Sequence, residues 1–374
     1  MGQWAGDAKS ILQYDQLSII NFRSSRAKTA CTSGRALHLK SEIAMEPPGP
    51  MSPRGPLMPP PHLIPSYLFA AAYYGDANKV KELMEGDPSK VNEAWSWNGA
   101  TPLLIATQCG HTHRNGNTPL LAAIHKGQDK VVELLIRRKD TLVNQVNNSG
   151  FAPLISAMQN GRYNMVKMPL ERKDIDVNMA TNDGASALLL SIKIGHFKVV
   201  ELLLRHDDIN VNWGTCHGET PLIMAAWKGI EKVVELLLEK KGIDVNKTAF
   251  NGSTPLSAAA GNGYQKVVEL LLREEDVEVN LADGYGQTPL CRAAINGHEK
   301  VVELLLGRKH IELNRVNKDG ACPLFVAAQN GHERVVKLLL EKEGIEVNNA
   351  TFNGVTPLNV AAGKGNFQVV ENYC

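Results

Sequence analysis

The sequence predicts an all-α solenoid of stacked helix pairs, and three observations predict it. The tripeptide T-P-L or a near relative recurs with its central residue at Pro119, Pro153, Ala187, Pro221, Pro255, Pro289, Pro323 and Pro357, each step being 34 residues. A glycine marks each midpoint in the same phase: Gly127, Gly161, Gly195, Gly229, Gly263, Gly297, Gly331 and Gly365. Asn144, Asn178, Asn212, Asn246, Asn280, Asn314 and Asn348 close the units inside D-V-N-like strings. Three registers held together over so many copies define a repeat array, in which a unit buries its apolar face only against its neighbours.

One unit, 253–280, justifies each element in turn. Thr254 is placed to cap a helix, and Pro255 at the first helical position has no backbone hydrogen bond to lose. Ser257 to Ala260 continue a short helix of small residues that lets units approach closely. Gly263 permits the chain reversal. Gln265 to Arg273 predict a second helix, with Val267, Val268, Leu270, Leu271 and Leu272 as its apolar face. Val279-Asn280 leads into an extended excursion that ends in a hairpin turn such as Asn251-Gly252 or Asp319-Gly320.

Unit starts fall near 66, 101, 118, 152, 186, 220, 254, 288, 322 and 356, so the array spans 66–374. The first keeps the phase with Tyr67 at the proline position. Pro102 and Pro119 are only 17 residues apart, so the element at 101 is a half unit, expected to uncouple what precedes it. Pro169 stands where other units have a helical leucine. An interior proline costs roughly 3 kcal/mol, which predicts an early end or a kink. The last unit is truncated at Cys374, part-way through its second helix.

Residues 1–65 are different material and predict a disordered arm. Between Asp15 and Glu42 there is no acid, while Arg23, Arg26, Lys28, Arg35 and Lys40 make a basic stretch. It reads as a solvated tail or a weak nuclear-import signal. Residues 46–65 carry nine prolines, and Pro47, Pro50, Pro53, Pro56 and Pro59 recur every third residue. That spacing puts all five on one edge of a polyproline II helix with Arg54 beside it. The edge predicts either a stiff spacer or a docking site for an SH3- or WW-type domain.

Composition excludes several classes. Lys+Arg 40 against Asp+Glu 39 leaves a formal charge of +1, and the array has no basic stripe, so direct DNA binding is disfavoured. Hydrophobic residues at 43% exclude wholesale disorder. The first residues lack the apolar run of a secretory signal, and Gly6 stands where a myristoylation motif needs Ser or Thr. No run of about 18 apolar residues predicts a membrane span. Cys31, Cys109, Cys216, Cys291, Cys322 and Cys374 form no C-x-x-C pair and read as reduced thiols of an intracellular protein. His298-Glu299 and His332-Glu333 begin a zinc-protease motif, but Val302 and Val336 occupy the second histidine positions. His111-x-His113 has no nearby partner for a metal, and no phosphate-binding loop or nucleophile elbow occurs. No catalytic, metal or cofactor site is expected.

The pattern N-G-x-T-P-L-x-x-A-A-x-x-G-H-x-x-V-V-x-L-L-L…V-N resembles the ankyrin repeat over about residues 66–374. Tetratricopeptide repeats share the period but lack T-P-L at a helix start and the N-G turn. In one respect the chain departs from the family, which places a unit-bridging His after T-P-L. Here that slot holds Leu121, Ile155, Leu189, Ile223, Ser257, Cys291, Phe325 and Asn359. The missing bridge predicts cohesion by apolar packing alone. The resemblance implies a concave face of fingers and first helices that binds a protein partner. On it lie the finger positions Trp95, Trp97, Trp213, Phe250, Tyr285 and Phe352, and the helix position Trp227. Aromatic side chains there are either interface anchors or packing between fingers. The resemblance further implies a regulatory scaffold, such as a nuclear transcription co-regulator acting through DNA-bound factors, or a cytoplasmic adaptor tethering a signalling or membrane protein.

Overall fold

The computed structural model describes residues 118–139, 141–159 and 163–373. The arm, the first unit and the half unit lie outside them, and with them Trp95, Trp97, Pro47, Pro50, Pro53, Arg54, Pro56 and Pro59. The described residues form sixteen helices, two per unit. The first four are α1 (Pro119–Lys126), α2 (Asp129–Arg137), α3 (Pro153–Gln159) and α4 (Tyr163–Leu170). Next come α5 (Ala187–Ile194), α6 (Phe197–Leu204), α7 (Pro221–Lys228) and α8 (Glu231–Leu238). They are followed by α9 (Pro255–Asn262), α10 (Gln265–Leu271), α11 (Pro289–Asn296) and α12 (Glu299–Leu306). The last are α13 (Pro323–Asn330), α14 (Glu333–Leu340), α15 (Pro357–Lys364) and α16 (Phe367–Glu371). Among the described residues the fingers are turns without strands, and a single bridge pairs Ala180 with Ser186.

The first helices start where T-P-L predicts. Thr118, Thr220, Thr288 and Thr356 each accept the backbone N–H three residues on, at 3.1–3.3 Å. Ser186 does the same for Leu189. Thr254 and Ser257 satisfy each other's backbone N–H reciprocally, at 3.0 and 2.9 Å. In the unit at 322 a sulfur takes over, Cys322 Sγ accepting from Phe325 N–H at 3.4 Å. Ala152 has no side-chain oxygen, so α3 starts without this cap.

Successive first helices pack on one another, as do successive second helices. The core is the row of buried Val and Leu from the second helices, Val233, Val234 and Leu237 in one unit, against buried Leu and Ala from the first. Each fully buried Leu or Val contributes about 1.5–3 kcal/mol. Tertiary packing therefore holds helices that are far too short to persist alone.

Pro169 does not end its helix early. The helix α4 runs to Leu170, the register at which α6, α8, α12 and α14 also stop, with Pro169 buried near its end. The helix loses the bond that an N–H at 169 would make to the Met165 carbonyl but keeps its full length, with the ring buried.

Candidate interaction surface

Cohesion between units is not apolar alone, which corrects the expectation drawn from the missing histidine. The V-N asparagines form a hydrogen-bonded ladder. Asn246 Nδ2 donates to Asp276 O at 2.7 Å, and its Oδ1 accepts Glu278 N–H at 2.9 Å. Asn144, Asn178, Asn212, Asn280 and Asn314 repeat both bonds at their own junctions. An amide fits because it offers a donor and an acceptor at once to two backbone groups two residues apart. Basic side chains add to this edge: Lys240 Nζ donates to Leu204 O at 2.7 Å, and Arg172 to Ile136 O at 2.9 Å and to Arg138 O. Both satisfy carbonyls at the end of the preceding unit's second helix.

The histidines after the mid-unit glycine have a structural task. His298 Nε2 lies 3.1 Å from Gly261 O and His332 Nε2 lies 2.9 Å from Ile295 O, the last turn of the preceding first helix. Each must carry its proton on Nε2 to donate. Asn366 substitutes for them at the next junction, donating to Ala328 O at 2.8 Å. Val302 and Val336, where a zinc motif needs histidine, are fully buried. Among the described residues no cluster of metal-ligating side chains occurs, and no helix is long and apolar enough to cross a membrane.

The fingers are held at their bases and strapped together. Asp283 Oδ1 accepts the N–H groups of Tyr285 and Gln287 at 2.8 and 3.0 Å, and Asn317 accepts those of Asp319 and Ala321 at 2.9 Å. Backbone bonds join successive fingers, Phe250 N–H to His217 O at 2.8 Å and Lys318 N–H to Tyr285 O at 3.0 Å. On this frame Phe250, Phe352 and Tyr285 are 81%, 75% and 67% exposed. Phe250 and Tyr285 occupy consecutive fingers, while the Lys318 finger separates them from Phe352. Trp213 and Trp227 are less open, at 43% and 36%. The Trp213 indole N–H donates to Gly184 O at 3.1 Å, which ties its ring to the preceding finger. The substituents of the missing histidine slot turn into the core, where Leu121, Ile155, Leu189, Ile223, Ser257, Cys291 and Phe325 are buried.

Charge is unevenly distributed between the helix rows. The first helices contain no Asp or Glu, while Lys126, Lys193, Lys228, Arg292 and Lys364 lie on them. Partial desolvation lowers the pKa of His125. Arg292 is matched by the nearly buried Asp283 at 3.4 Å. The acids sit on the second helices, where Lys232–Glu235, Lys266–Glu269 and Lys300–Glu303 pair within a turn.

Sequence reasoning missed one further feature, at the turns between first and second helices. Tyr163, Ile194, Phe197 and Tyr264 are exposed there, beside Trp227, which the sequence already singles out. Ile194 and Phe197 flank Gly195, and Tyr264 lies over Gly229 of the preceding unit. The signal was in the sequence, but only when units are read across their shared slots rather than along the chain.

Family models described as ankyrin repeats match residues 111–180, 170–249, 242–317 and 309–372. These matches span well over half of the chain, and the chain belongs to the ankyrin-repeat family. Ankyrin arrays are protein–protein interaction modules, and this is the class that fold and surface define. No curated protein matches the chain significantly. Among solved structures, the crystal structure of an ankyrin repeat protein is similar with a TM-score of 0.47 and 25% identity, over 51% of this chain and 97% of that one.

Proposed function

We propose that the protein is a non-catalytic scaffold that binds a protein partner across its fingers and first helices. The observation that carries this reading is the pairing of rigidity with exposure. Phe250 and Tyr285 project from fingers strapped to their neighbours, and Phe352 from a turn closed by Thr351 N–H on Val355 O, so a partner meets preformed aromatic anchors at little ordering cost. Trp213 and Trp227 extend the same surface toward the first helices. Replacing Phe250, Tyr285 and Phe352 together by Ala should weaken capture of a bound partner about tenfold or more while leaving thermal unfolding nearly unchanged. Unaltered capture, or a large loss of stability, overturns the assignment.

The finer reading is a regulator, such as a transcription co-regulator that acts through DNA-bound factors, with the arm at 1–65 supplying nuclear import and the proline edge 47–59 a docking site for an SH3- or WW-type domain. The basic stretch and the three-residue proline spacing support it. A reporter fused to residues 1–65 should accumulate in the nucleus. Cytoplasmic retention favours an adaptor that tethers a signalling or membrane protein instead.

A further inference from the structure

We propose that the V-N edge of the units at 254 and 288 is a homodimer interface, in which the acidic string 274–278 of one copy lies against the basic string 308–315 of a second copy across a two-fold axis. This goes beyond the scaffold reading, and none of the residues involved is one of its aromatic anchors.

Sequence and stacking together make the pattern. The string before Asn280 reads E-E-D-V-E (274–278), four acids without a base. The string one unit on reads R-K-H-I-E-L-N-R (308–315), where the single acid, Glu312, is paired with Arg315 at 2.8 Å. Asn280 holds the two strings side by side, its amide donating to His310 O at 2.6 Å and accepting Glu312 N–H at 3.0 Å. Asn246 fixes the acidic string from its other side, through Asp276 O and Glu278 N–H. Glu275, Asp276, Arg308, Lys309 and His310 are exposed and Glu274 is half-buried. Among the described residues, none of these six enters an ion pair within the chain. The fold does not demand such signs. The same slots read K-K-G-I-D at 240–244 and K-E-G-I-E at 342–346, each mixing bases with acids.

The order of signs selects the occupant. A two-fold contact is made by one patch against itself, so each string must suit the one it meets, and the reverse. Two adjacent strings of opposite sign on one fixed edge meet that condition. An axis running along the strings, between them, sets the acidic string of each copy on the basic string of the other. Residues in the same slot then face each other: Glu274 meets Arg308, Glu275 meets Lys309, and Asp276 meets His310, each contact being made twice. Glu278 meets Glu312, whose charge Arg315 already balances. An axis along the stack would set acid on acid, and a foreign partner of one sign would be repelled by one string. Between the strings runs a groove of about 710 Å3 with the half-buried Val277, Val279 and Leu281 in its lining. The long stems of the second copy's Arg308 and Lys309 can lie on that apolar surface while their charges reach the carboxylates.

The test is sedimentation velocity of the full chain over a range of concentrations. A monomer–dimer equilibrium should appear, and its dissociation constant should rise about tenfold or more between about 0.05 and about 0.5 M salt. Glu274→Lys with Glu275→Lys installs the pair found at 240–241, and Arg308→Glu with Lys309→Glu installs the pair found at 274–275. Both variants should therefore keep the parent's unfolding midpoint. Each alone should weaken self-association about tenfold or more, because like charges then face each other. Mixed in equal amounts, the two variants should dimerise again, since each reversed string meets its complement. A parent that stays monomeric, a dimer indifferent to salt or to either reversal, or folded variants whose mixture stays monomeric would each overturn the proposal. So would species that keep growing with concentration, because a two-fold contact closes at two copies. Loss of the dimer when Phe250, Tyr285 and Phe352 are replaced by Ala overturns this interface and assigns self-association to the fingers. Partner capture unaltered by that same replacement overturns the scaffold reading and leaves the dimer standing.

Discussion

The units at 186 and 220 and the units at 288 and 322 share one backbone and differ at their turn edges. In both pairs a capped first helix ends at a glycine with positive φ, and the second helix buries two valines and a leucine. The later pair closes each junction with a histidine bonded to the preceding helix end. In the earlier pair that slot holds His196 and Ile230, the latter packed against the apolar core, and Ile194 and Phe197 on either side of Gly195-His196 are exposed. Slots that are alike in both pairs are those the stack needs, and slots that differ are available for function.

The largest effect expected of this comparison is at glycine. A Cβ at Gly297 would lie 2.4 Å from the His332 ring, and φ there is +71°, whereas nothing lies within 4 Å at Gly365, where φ is +74°. Gly297→Ala should cost about 2–3 kcal/mol, the left-handed penalty plus the displaced His332 bond. Gly365→Ala should cost only about 1–2 kcal/mol. Equal losses in urea unfolding would show that the contact between units contributes nothing.

The ladder comes next. Asn280→Ala deletes two bonds between units and should cost about 2 kcal/mol, and Asn280→Asp should cost no less, because its second carboxylate oxygen faces the His310 carbonyl where the amide donated. Asn178→Ala should match Asn280→Ala, because its bonds are the same. A much smaller loss at Asn178 would mean that the two regions are held together differently. Restoring a cap is smaller and of opposite sign: Ala152→Thr should stabilise by about 1 kcal/mol in thermal unfolding.

Thiol chemistry supplies a comparison without a stability readout. Burial pushes the Cys291 thiol up to about 12 and raises that of Cys322, whereas Cys216 lies exposed on a finger. Because both shifts are upward, the two buried thiols stay protonated at pH 8 and inert. Maleimide labelling read by peptide mass should modify Cys216 in the native protein and Cys291 and Cys322 only on unfolding. Labelling of Cys322 at the rate of Cys216 would show that the cap of α13 opens readily.

The sequence by itself determined the period, the helix starts at Thr or Ser before Pro, the reversing glycines and the Val/Leu core. Each of these is a local requirement of cap, turn or amphipathic face, repeated often enough to read directly. Pro169 misled because the helix keeps the length of its counterparts in other units despite the lost bond, its ring being buried in the stack. Only the tertiary structure showed what the V-N asparagines do, since their partners lie 30 and 32 residues onward in the next unit. It also showed that His298 and His332 bridge units from a slot other than the one the family usually uses. The same holds for the aromatic side chains. Sequence placed Trp213 and Phe250 on fingers alike, but the stack bonds the Trp213 indole to Gly184 and leaves Phe250 in solvent. The apolar turn edge emerged for the same reason: stacking turns residues 34 positions apart into neighbours, and only neighbours make a surface.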